Sequence, residues 1–287
     1  MEENLFNQQV WESAWNKDPT TSLRIMQRLG QGNYQTKEFG KWAKSYDENS
    51  FRHEGRQRSN RILTWIEDQV VSFKDLSVLD IGAASGVFSI PFAEKGANVT
   101  AIEPSPDLAR MLEKNTMNYS VQVNVIQKTF EEIVTDKHNS LYDLVFASMC
   151  PAMKDWEMVM KALSFAKKYC YISTMAGPKE NHLIEELLPI LDIEPREIGS
   201  SDMAYILQLL YLNGYSYQTL IEKQMKTVKM NLDDAVDKLA QWFYDYGISA
   251  EENSLRKSEE YLRATYEDEI SLRIGGRFGK VLVYLDD

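Results

Sequence analysis

The sequence has few of the residues from which disulfides and metal centres are built. It contains two cysteines, Cys150 and Cys170, and three histidines without ligand-like spacing. Each cysteine borders an apolar run, so we expect buried thiols in a reducing compartment and no disulfide. We expect no metal site, because neither residue type forms a cluster along the sequence.

Long apolar runs are missing as well. No stretch reaches the roughly 20 residues of a membrane-spanning helix. The acidic first residues, MEENLFNQQVWESAWNKD, lack the basic and apolar regions of a signal peptide. We therefore expect a cytoplasmic protein with no membrane partner.

Positive charge is in deficit, with a formal net charge of −11 over 287 residues. A basic surface supplies most of the affinity in nucleic-acid binding, so we expect no nucleic-acid partner. The hydrophobic content of 44% is typical of a globular protein. The composition leaves the oligomeric state open.

Short apolar runs alternate with helical patterns in the middle of the chain. Five such runs, each followed by a helical segment, predict right-handed βαβ units and a parallel sheet. A sixth strand is predicted in YSYQTLIEKQMKTVKM and a seventh in GKVLVYLD. We therefore predict an α/β fold. The five runs are SVLDIGA, NVTAIEPS, VQVNVIQ, YDLVFASM and YCYISTM.

The chain divides into four predicted segments. Helices rich in Tyr, Met and Trp follow the fifth strand and are expected to cap one edge of the core. The segments are an N-terminal helical extension (1–37), an α/β core (38–178), a helical substrate cap with the sixth strand (179–270) and the last core strand (271–287).

Two acids lie at the predicted tips of adjacent strands. The first strand ends at Asp80, and the turn Gly-Ala-Ala-Ser-Gly (82–86) leads from it into a helix. Glycines let a ligand approach the backbone, and a helix N-terminus offers free N–H groups. The second strand ends at Glu103, where an acid commonly takes both hydroxyls of a ribose.

Three ligand classes compete for this geometry. A P-loop requires Gly-Lys-Ser/Thr, which the turn lacks. A dinucleotide site requires Gly-x-Gly-x-x-Gly and disfavours an acid beside its pyrophosphate, whereas the glycines here are spaced Gly-x-x-x-Gly next to Asp80. S-adenosylmethionine has no phosphate but carries an ammonium, a sulfonium and a ribose diol, which suit two acids.

Residues 78–93 and 99–104 resemble motifs I and II of the class I S-adenosylmethionine-dependent methyltransferases. FGKWAKSYDE (39–48) is similar to the helix that often precedes the core and closes over the cofactor. The resemblance covers residues 38–178 and the last ten residues. It implies a Rossmann-like, mostly parallel seven-stranded sheet with an antiparallel last strand, S-adenosylmethionine as cofactor and S-adenosylhomocysteine as product.

The same resemblance implies a set of cofactor-binding residues. They are Asp80, Gly82, Ala83, Ala84, Gly86, Glu103, Pro104, Thr129, Phe130, Tyr46 and Ser148. The sequence departs from the family at Ala84, where a glycine is usual, and after strand three, where an acid near the adenine is missing. Thr129 and Phe130 stand in that turn and leave a backbone amide and apolar packing for the adenine.

Methyl acceptors in this family usually lie beyond strand four, so Met149 and Cys150 are candidates for lining the substrate pocket. The basic run FRHEGRQRSNR (51–61) is either a solvated helix face or the source of a cation, Arg56 or Arg61, for the cofactor carboxylate or an anionic substrate. His182 is the candidate general base. No other catalytic residue is identified, and in-line transfer from a sulfonium requires no acid–base pair.

The leading hypothesis is methyl transfer from S-adenosylmethionine to a small molecule. One alternative is an RNA methyltransferase, because DIGAASGVFS is similar to the loop of some ribose methyltransferases. Another is a non-catalytic cofactor-binding interaction module. Product formation would separate the two enzymes from the module.

Overall fold

A computed structural model of the protein describes residues 5–21, 24, 37–70, 72–134, 142–194, 202–246, 248 and 250–285. These residues form a seven-stranded sheet of order β3-β2-β1-β4-β5-β7-β6. The strands are β1 (Ser77–Ile81), β2 (Asn98–Ile102), β3 (Val123–Ile126), β4 (Tyr142–Ser148), β5 (Ala166–Asn181), β6 (Ser216–Asn231) and β7 (Glu269–Tyr284).

Helices cover both faces of this sheet. Ten α-helices and one 3₁₀ turn, Phe130–Glu132, lie in the described residues. The α-helices are α1 (Gln8–Lys17), α2 (Lys37–Ser50), α3 (His53–Val70), α4 (Ser89–Glu94), α5 (Pro106–Asn118), α6 (Trp156–Phe165), α7 (His182–Ile190), α8 (Asp202–Leu212), α9 (Leu232–Asp245) and α10 (Glu252–Thr265).

The pairing of the strands confirms the predicted fold class. Strands β1 to β5 run parallel in the order β3-β2-β1-β4-β5. The last strand, β7, is inserted between β5 and β6 and is antiparallel to both. The sheet is therefore mostly parallel, as expected of βαβ units joined by crossover helices.

Two apolar cores flank the sheet. On one face, α3 and α4 bury Leu63 and Phe92 against strand residues such as Phe146. On the other, α6 and α8 pack against the alternate side chains of the same strands. This alternation is expected, because successive side chains of a strand point to opposite faces.

Helix α1, from the predicted N-terminal extension, packs on α8. Trp15 is buried, and its indole N–H donates a hydrogen bond of 2.9 Å to Asp202. Its ring stacks on Tyr205 with centroids 5.9 Å apart. These contacts place α1 on the face opposite α3. Residues 1–4 and 25–36 of the extension lie outside the described residues.

Two strands, β5 and β7, are longer than the sequence pattern suggested, whereas β6 lies within one residue of its predicted bounds. Beyond the pair Ser148↔Ser173, strand β5 leaves β4 and continues with β7 and β6 as an antiparallel ribbon. We call this ribbon, residues 174–181, 221–231 and 269–279, the arm. Helices α7, α9 and α10 cover one face of it around a separate apolar core that includes Leu187, Phe243 and Leu272. The predicted segment boundaries at 178 and 270 therefore fall inside continuous strands.

Candidate functional site

The two acids of the sequence pattern lie at neighbouring strand tips. Strands β1 and β2 are paired in register from Ser77↔Asn98 to Ile81↔Ile102. Asp80 is the penultimate residue of β1, and Glu103 directly follows β2. Both are buried, at 2% and 4% exposure. Two carboxyl groups are thus held at the carboxyl edge of the sheet, where open α/β sheets bind ligands.

The loop between these acids has a backbone that favours glycine. Gly82 and Gly86 adopt positive φ angles of 72° and 92°, and Ala84, between them, adopts 49°. A Cβ atom at Gly82 would lie 2.5 Å from the sulfur of Cys150, so a side chain cannot be added there without a shift. The left-handed backbone at Ala84 is higher in free energy for an alanine than it would be for a glycine.

Glu103 holds this loop in place. Its carboxylate accepts hydrogen bonds of 2.8 Å from the backbone N–H groups of Ala84 and Ser105. The hydroxyl of Ser85, in the same loop, is fully buried and has no hydrogen-bond partner among the described residues. A buried polar group without a partner is rare and calls for a physical explanation.

Asp80 is the most perturbed acid of the site. Burial raises its pKa to about 7, and the nearby charge of Glu103 acts in the same direction. The hydroxyl of Ser89 donates a hydrogen bond of 2.6 Å to its carboxylate, which opposes the rise only in part. Asp80 is therefore close to half ionised at neutral pH.

A cleft of about 330 Å³ lies next to these groups. Helices α2 and α3 form one side of it, and the start of α4 and the end of β4 form the other. Burial is the main cause of the raised pKa of the Tyr46 hydroxyl in this wall. The charges of Asp80 and Glu103 raise this pKa as well, which indicates that Tyr46 is near both acids. The principal lining residues are Trp42, Ser45, Tyr46, Asn49, Arg58, Val87, Phe88, Ser148 and Met149.

Three residues named from the sequence line this cleft. Tyr46 stacks on Trp42 with centroids 5.2 Å apart. Ser148 shares a hydrogen bond of 3.0 Å with Ser173 on the next strand. Met149 has a φ of 51°, and this left-handed backbone directly after β4 turns the chain at the cleft.

The arginine of the cleft is not one of the two considered from the sequence. Arg56 donates a hydrogen bond of 2.7 Å to Glu94, and its guanidinium lies over the ring of Tyr119. Arg61 is exposed. Arg58 lines the cleft instead. The helical register of α3 does not single out Arg58, because Arg56 is followed at i+3 and i+7 by the buried residues Ser59 and Leu63.

Other predicted residues lie outside the lining. Thr129 caps the 3₁₀ turn by bonding to Glu132, and Phe130 is buried against Phe165. Cys150 lies beneath the glycine loop, where burial raises its pKa to about 12. Such a thiol is protonated at neutral pH and is not a nucleophile.

His182 is also separated from the cleft. It begins α7 at the far end of the arm, nine residues beyond Ser173 along the chain. Its Nδ1 atom accepts a hydrogen bond of 2.9 Å from the backbone N–H of Arg273. The structure therefore does not bring the candidate general base to Ser148 and Met149.

The described residues show neither a metal-binding cluster nor a helix that could span a membrane. Among the described residues, no group of three or more His, Cys, Asp or Glu side chains is arranged to hold a metal ion. In that part of the chain, no helix combines the length and apolar character that crossing a bilayer requires.

The chain is similar to known methyltransferases in sequence and in fold. A family profile described as "Methyltransferase domain" matches residues 34–201, over half of the chain. The ubiquinone biosynthesis O-methyltransferase of Rickettsia akari (strain Hartford) is 36% identical over 70 residues, which make up 24% of this chain and 27% of that protein. The matched region spans 27–36% of the length of the first curated relatives.

Two solved structures share the fold at low sequence identity. The plantazolicin methyltransferase BpumL, in complex with a pentazolic desmethylPZN analog and S-adenosylhomocysteine, has a TM-score of 0.54 at 13% identity and covers 95% of this chain and 99% of its own. Magnesium protoporphyrin IX methyltransferase from Synechocystis PCC 6803, also with S-adenosylhomocysteine, has a TM-score of 0.51 at 19% identity and covers 70% and 94%. With the family match and the sheet topology in agreement, the chain belongs to the class I S-adenosylmethionine-dependent methyltransferases.

Proposed function

We propose that the protein transfers a methyl group from S-adenosylmethionine to a small-molecule acceptor. The observation that carries the proposal is the cleft itself. It lies between the helices α2–α3 and the end of β4, is bordered by aromatic side chains, and adjoins the two acids. A partly apolar cleft of about 330 Å³ suits a metabolite better than a polymer.

Charge and relatives support the same substrate class. A net charge of −11 disfavours a nucleic-acid acceptor. The curated relatives named above are ubiquinone biosynthesis O-methyltransferases, whose name indicates methylation of an oxygen atom on a small molecule. We extend the substrate class, and not the substrate itself, to this chain.

The residues at the two strand tips fit the cofactor. Glu103 would accept hydrogen bonds from the ribose hydroxyls, and Asp80 would lie on the side of the ammonium group. Ser85, with its unbonded buried hydroxyl, offers a further polar contact within the loop. Arg58, which forms no ion pair within the described ranges, would take the carboxylate. Asp80 and Arg58 thus match the ammonium and the carboxylate of the amino-acid end, and Glu103 matches the ribose.

Catalysis in this scheme depends on positioning. When bound, S-adenosylmethionine supplies a methyl group on an already activated sulfonium, so no general base is compulsory. Tyr46 and Trp42 of α2 would cover the cleft and exclude water, and Met149 would hold the end of β4 beside the acceptor. We further propose that the helices on the arm close the acceptor side.

This last point rests on the register of β7. Side chains alternate along a strand, so Ile270 and Leu272, which contact the helices of the arm, share a face with Leu282, which packs in the core beneath α3. The regular pairing with β6 from residue 216 to 231 preserves that alternation. The helices of the arm and α3 therefore flank the same side of the sheet.

Calorimetric titration with S-adenosylhomocysteine, and separately with NAD, tests the cofactor assignment. We expect binding of S-adenosylhomocysteine alone, weakened about tenfold or more in Glu103→Ala and Asp80→Ala. Glu113→Ala, an exposed acid on α5, is the matched control and should bind as the wild type does. Binding of NAD instead, or equal binding by all variants, would refute the assignment.

The acceptor class is tested by product formation. Purified protein is incubated with S-adenosylmethionine and either a metabolite extract or total RNA, and S-adenosylhomocysteine is measured. We expect formation with the metabolite extract only. Formation with RNA would favour the RNA methyltransferase alternative, and formation with neither would favour a non-catalytic module.

A further inference from the structure

A row of polar side chains crosses the sheet beneath helix α3. Ser148, Ser173 and Lys280 are neighbours on β4, β5 and β7, because the strands pair Ser148 with Ser173 and Ser173 with Lys280. The two serine hydroxyls share a hydrogen bond of 3.0 Å. Ser148 also lines the cleft. The row therefore starts at the cleft and leads away from it under α3.

Tyr171 stands beside this row with an unsatisfied hydroxyl. It lies two residues before Ser173 on β5 and so shares its face. Its side chain is fully buried, and the hydroxyl makes no hydrogen bond to any described group. Burial raises the pKa of this phenol, and the hydroxyl of Ser173, which is close but outside normal hydrogen-bond geometry, opposes the rise in part. Leaving a buried hydroxyl unpaired costs free energy, which a ligand can recover.

The ring of Tyr171 is fixed by its neighbours. It stacks on Phe146 with centroids 4.7 Å apart and an angle of 7°, and it meets Trp65 edge-on at 6.1 Å. Phe146 in turn contacts Phe88, a lining residue, at 4.8 Å. Packing therefore determines the orientation of the phenol.

Arg58 supplies a second link between Tyr171 and the cleft. Its charge lowers the pKa of both Tyr46, in the cleft wall, and Tyr171, in the sheet, although burial outweighs it in each. Arg58 lines the cleft from α3, the helix that packs on the face of the sheet to which Tyr171 belongs. The hydroxyl of Tyr171 lies on the side of the sheet that α3 and the cleft occupy.

Lys280 adds a buried cation at the end of the row. It is 8% exposed, donates a hydrogen bond of 3.0 Å to Glu222, and lies over the ring of Trp65 at 5.0 Å. An ammonium has three N–H donors, and Glu222 takes one of them. Lys280 can therefore offer further donors to a group that reaches the row from the cleft.

We propose that Tyr171, the Ser148–Ser173 pair and Lys280 form a subsite for an anionic oxygen of the methyl acceptor, a carboxylate or phenolate carried on an aromatic ring. The inference rests on the proposed function, since it names the acceptor of that same cleft. Tyr171, Lys280 and the one hydroxyl of the serine pair whose hydrogen is not used within the pair can donate, which matches an acceptor-only oxygen. The aromatic walls, Trp42, Tyr46 and Phe88, suit the ring.

Binding of benzoate to protein saturated with S-adenosylhomocysteine tests the subsite, with neutral benzamide as the comparison ligand. Ligand-observed NMR titration gives the dissociation constants at pH 7.5. We expect benzoate to bind tighter than benzamide, and Tyr171→Phe to weaken benzoate by roughly tenfold, as the loss of one hydrogen bond to a charged group implies. Lys280→Met should abolish the preference for benzoate.

Two controls make the result decisive. Tyr169→Phe removes a hydroxyl from the same face of β5, two residues further from the cleft, and should leave benzoate binding unchanged. Tyr171→Phe should melt at or above the wild-type temperature, because the hydroxyl it removes has no protein partner. Unchanged benzoate binding in Tyr171→Phe, or no benzoate binding to the wild type, would overturn the subsite. If S-adenosylhomocysteine itself fails to bind, the proposed function fails first.

Discussion

The side-chain amide of Asn115 donates a hydrogen bond of 2.8 Å to the carboxylate of Asp47. The same nitrogen donates a second bond, of 3.1 Å, to the backbone carbonyl of Ser85. One buried amide on α5 thus joins helix α2 to the glycine loop. Since α2 carries Tyr46 and Trp42, the position of the cleft wall depends on this junction.

Replacing Asn115 by alanine should loosen α2 from the loop. We expect about 1–3 kcal/mol of lost stability, from the two broken hydrogen bonds, and about tenfold weaker binding of S-adenosylhomocysteine. Hydrogen exchange of residues 40–50 should accelerate at the same time. Asn118→Ala, an exposed position on the same helix, is the control. Weaker ligand binding with unchanged exchange in α2 would contradict this role.

Gly82→Ala should be severely destabilising for two separable reasons. The residue would have to adopt a φ of 72°, and its Cβ would lie 2.5 Å from the sulfur of Cys150. We expect a loss of about 3 kcal/mol or more in urea unfolding. The double variant Gly82→Ala/Cys150→Ala removes the clash and leaves the backbone strain, so it should recover part of the loss. Strict additivity of the two changes would exclude the steric contact as a cause.

Asp80 should make stability fall as pH rises. Its pKa is raised from 3.8 to about 7, so between these values the folded state holds a proton that the unfolded state has released. The free energy of unfolding therefore falls by a total of about 4 kcal/mol between about pH 4 and pH 7 because of Asp80. Above pH 7 the contribution of Asp80 no longer changes. Urea midpoints between pH 5 and pH 8 should decline more steeply for the wild type than for Asp80→Asn. Parallel profiles would show that Asp80 ionises normally.

Arg58→Ala should weaken S-adenosylhomocysteine binding by about tenfold, because the variant lacks the cation expected to hold the carboxylate. Binding of 5′-methylthioadenosine, which has no carboxylate, should be equal in the variant and the wild type. Arg61→Ala, an exposed neighbour on the same helix, serves as the control for both ligands. An equal loss for both ligands in Arg58→Ala would indicate a distorted cleft rather than a lost ion pair.

The sequence predicted where the two acids and the glycine loop lie in the fold. An acid at the end of an apolar run, a loop of small residues and a second acid one strand later fix Asp80, Gly82 and Glu103 at one sheet edge. These features are local, because strand alternation and positive-φ turns depend on a few consecutive residues. The parallel pairing of the first five strands follows from their alternation with helices, and the antiparallel last strand was implied by the family resemblance.

Contacts between distant elements were harder to predict. Choosing among Arg56, Arg58 and Arg61 requires knowing which face of α3 meets the sheet. The unbonded hydroxyl of Tyr171 depends on packing partners from α3 and β4 that no local pattern specifies. The length of β7 was also missed, because Gly275, Gly276 and Gly279 disguise its alternation. These are consequences of tertiary context, which overrides local propensity.

The regular pairing of β6 with β7 makes the arm stiff. Strands β6 and β7 pair in one regular register from the core to the end of the arm, whereas the pairing of β5 with β7 shifts register between Met175 and Lys179. The helices α7 and α9 are therefore carried on a long paired ribbon rather than on a flexible connection. Bending the arm would strain the backbone hydrogen bonds along the sixteen residues of β6 that pair with β7. Ligands should therefore enter by movement of α2, which is joined to the glycine loop through Asp47 and Asn115, whereas α3 is packed in the core. We therefore expect ligands to enter the cleft on the side of α2, while the arm on the other side stays rigid.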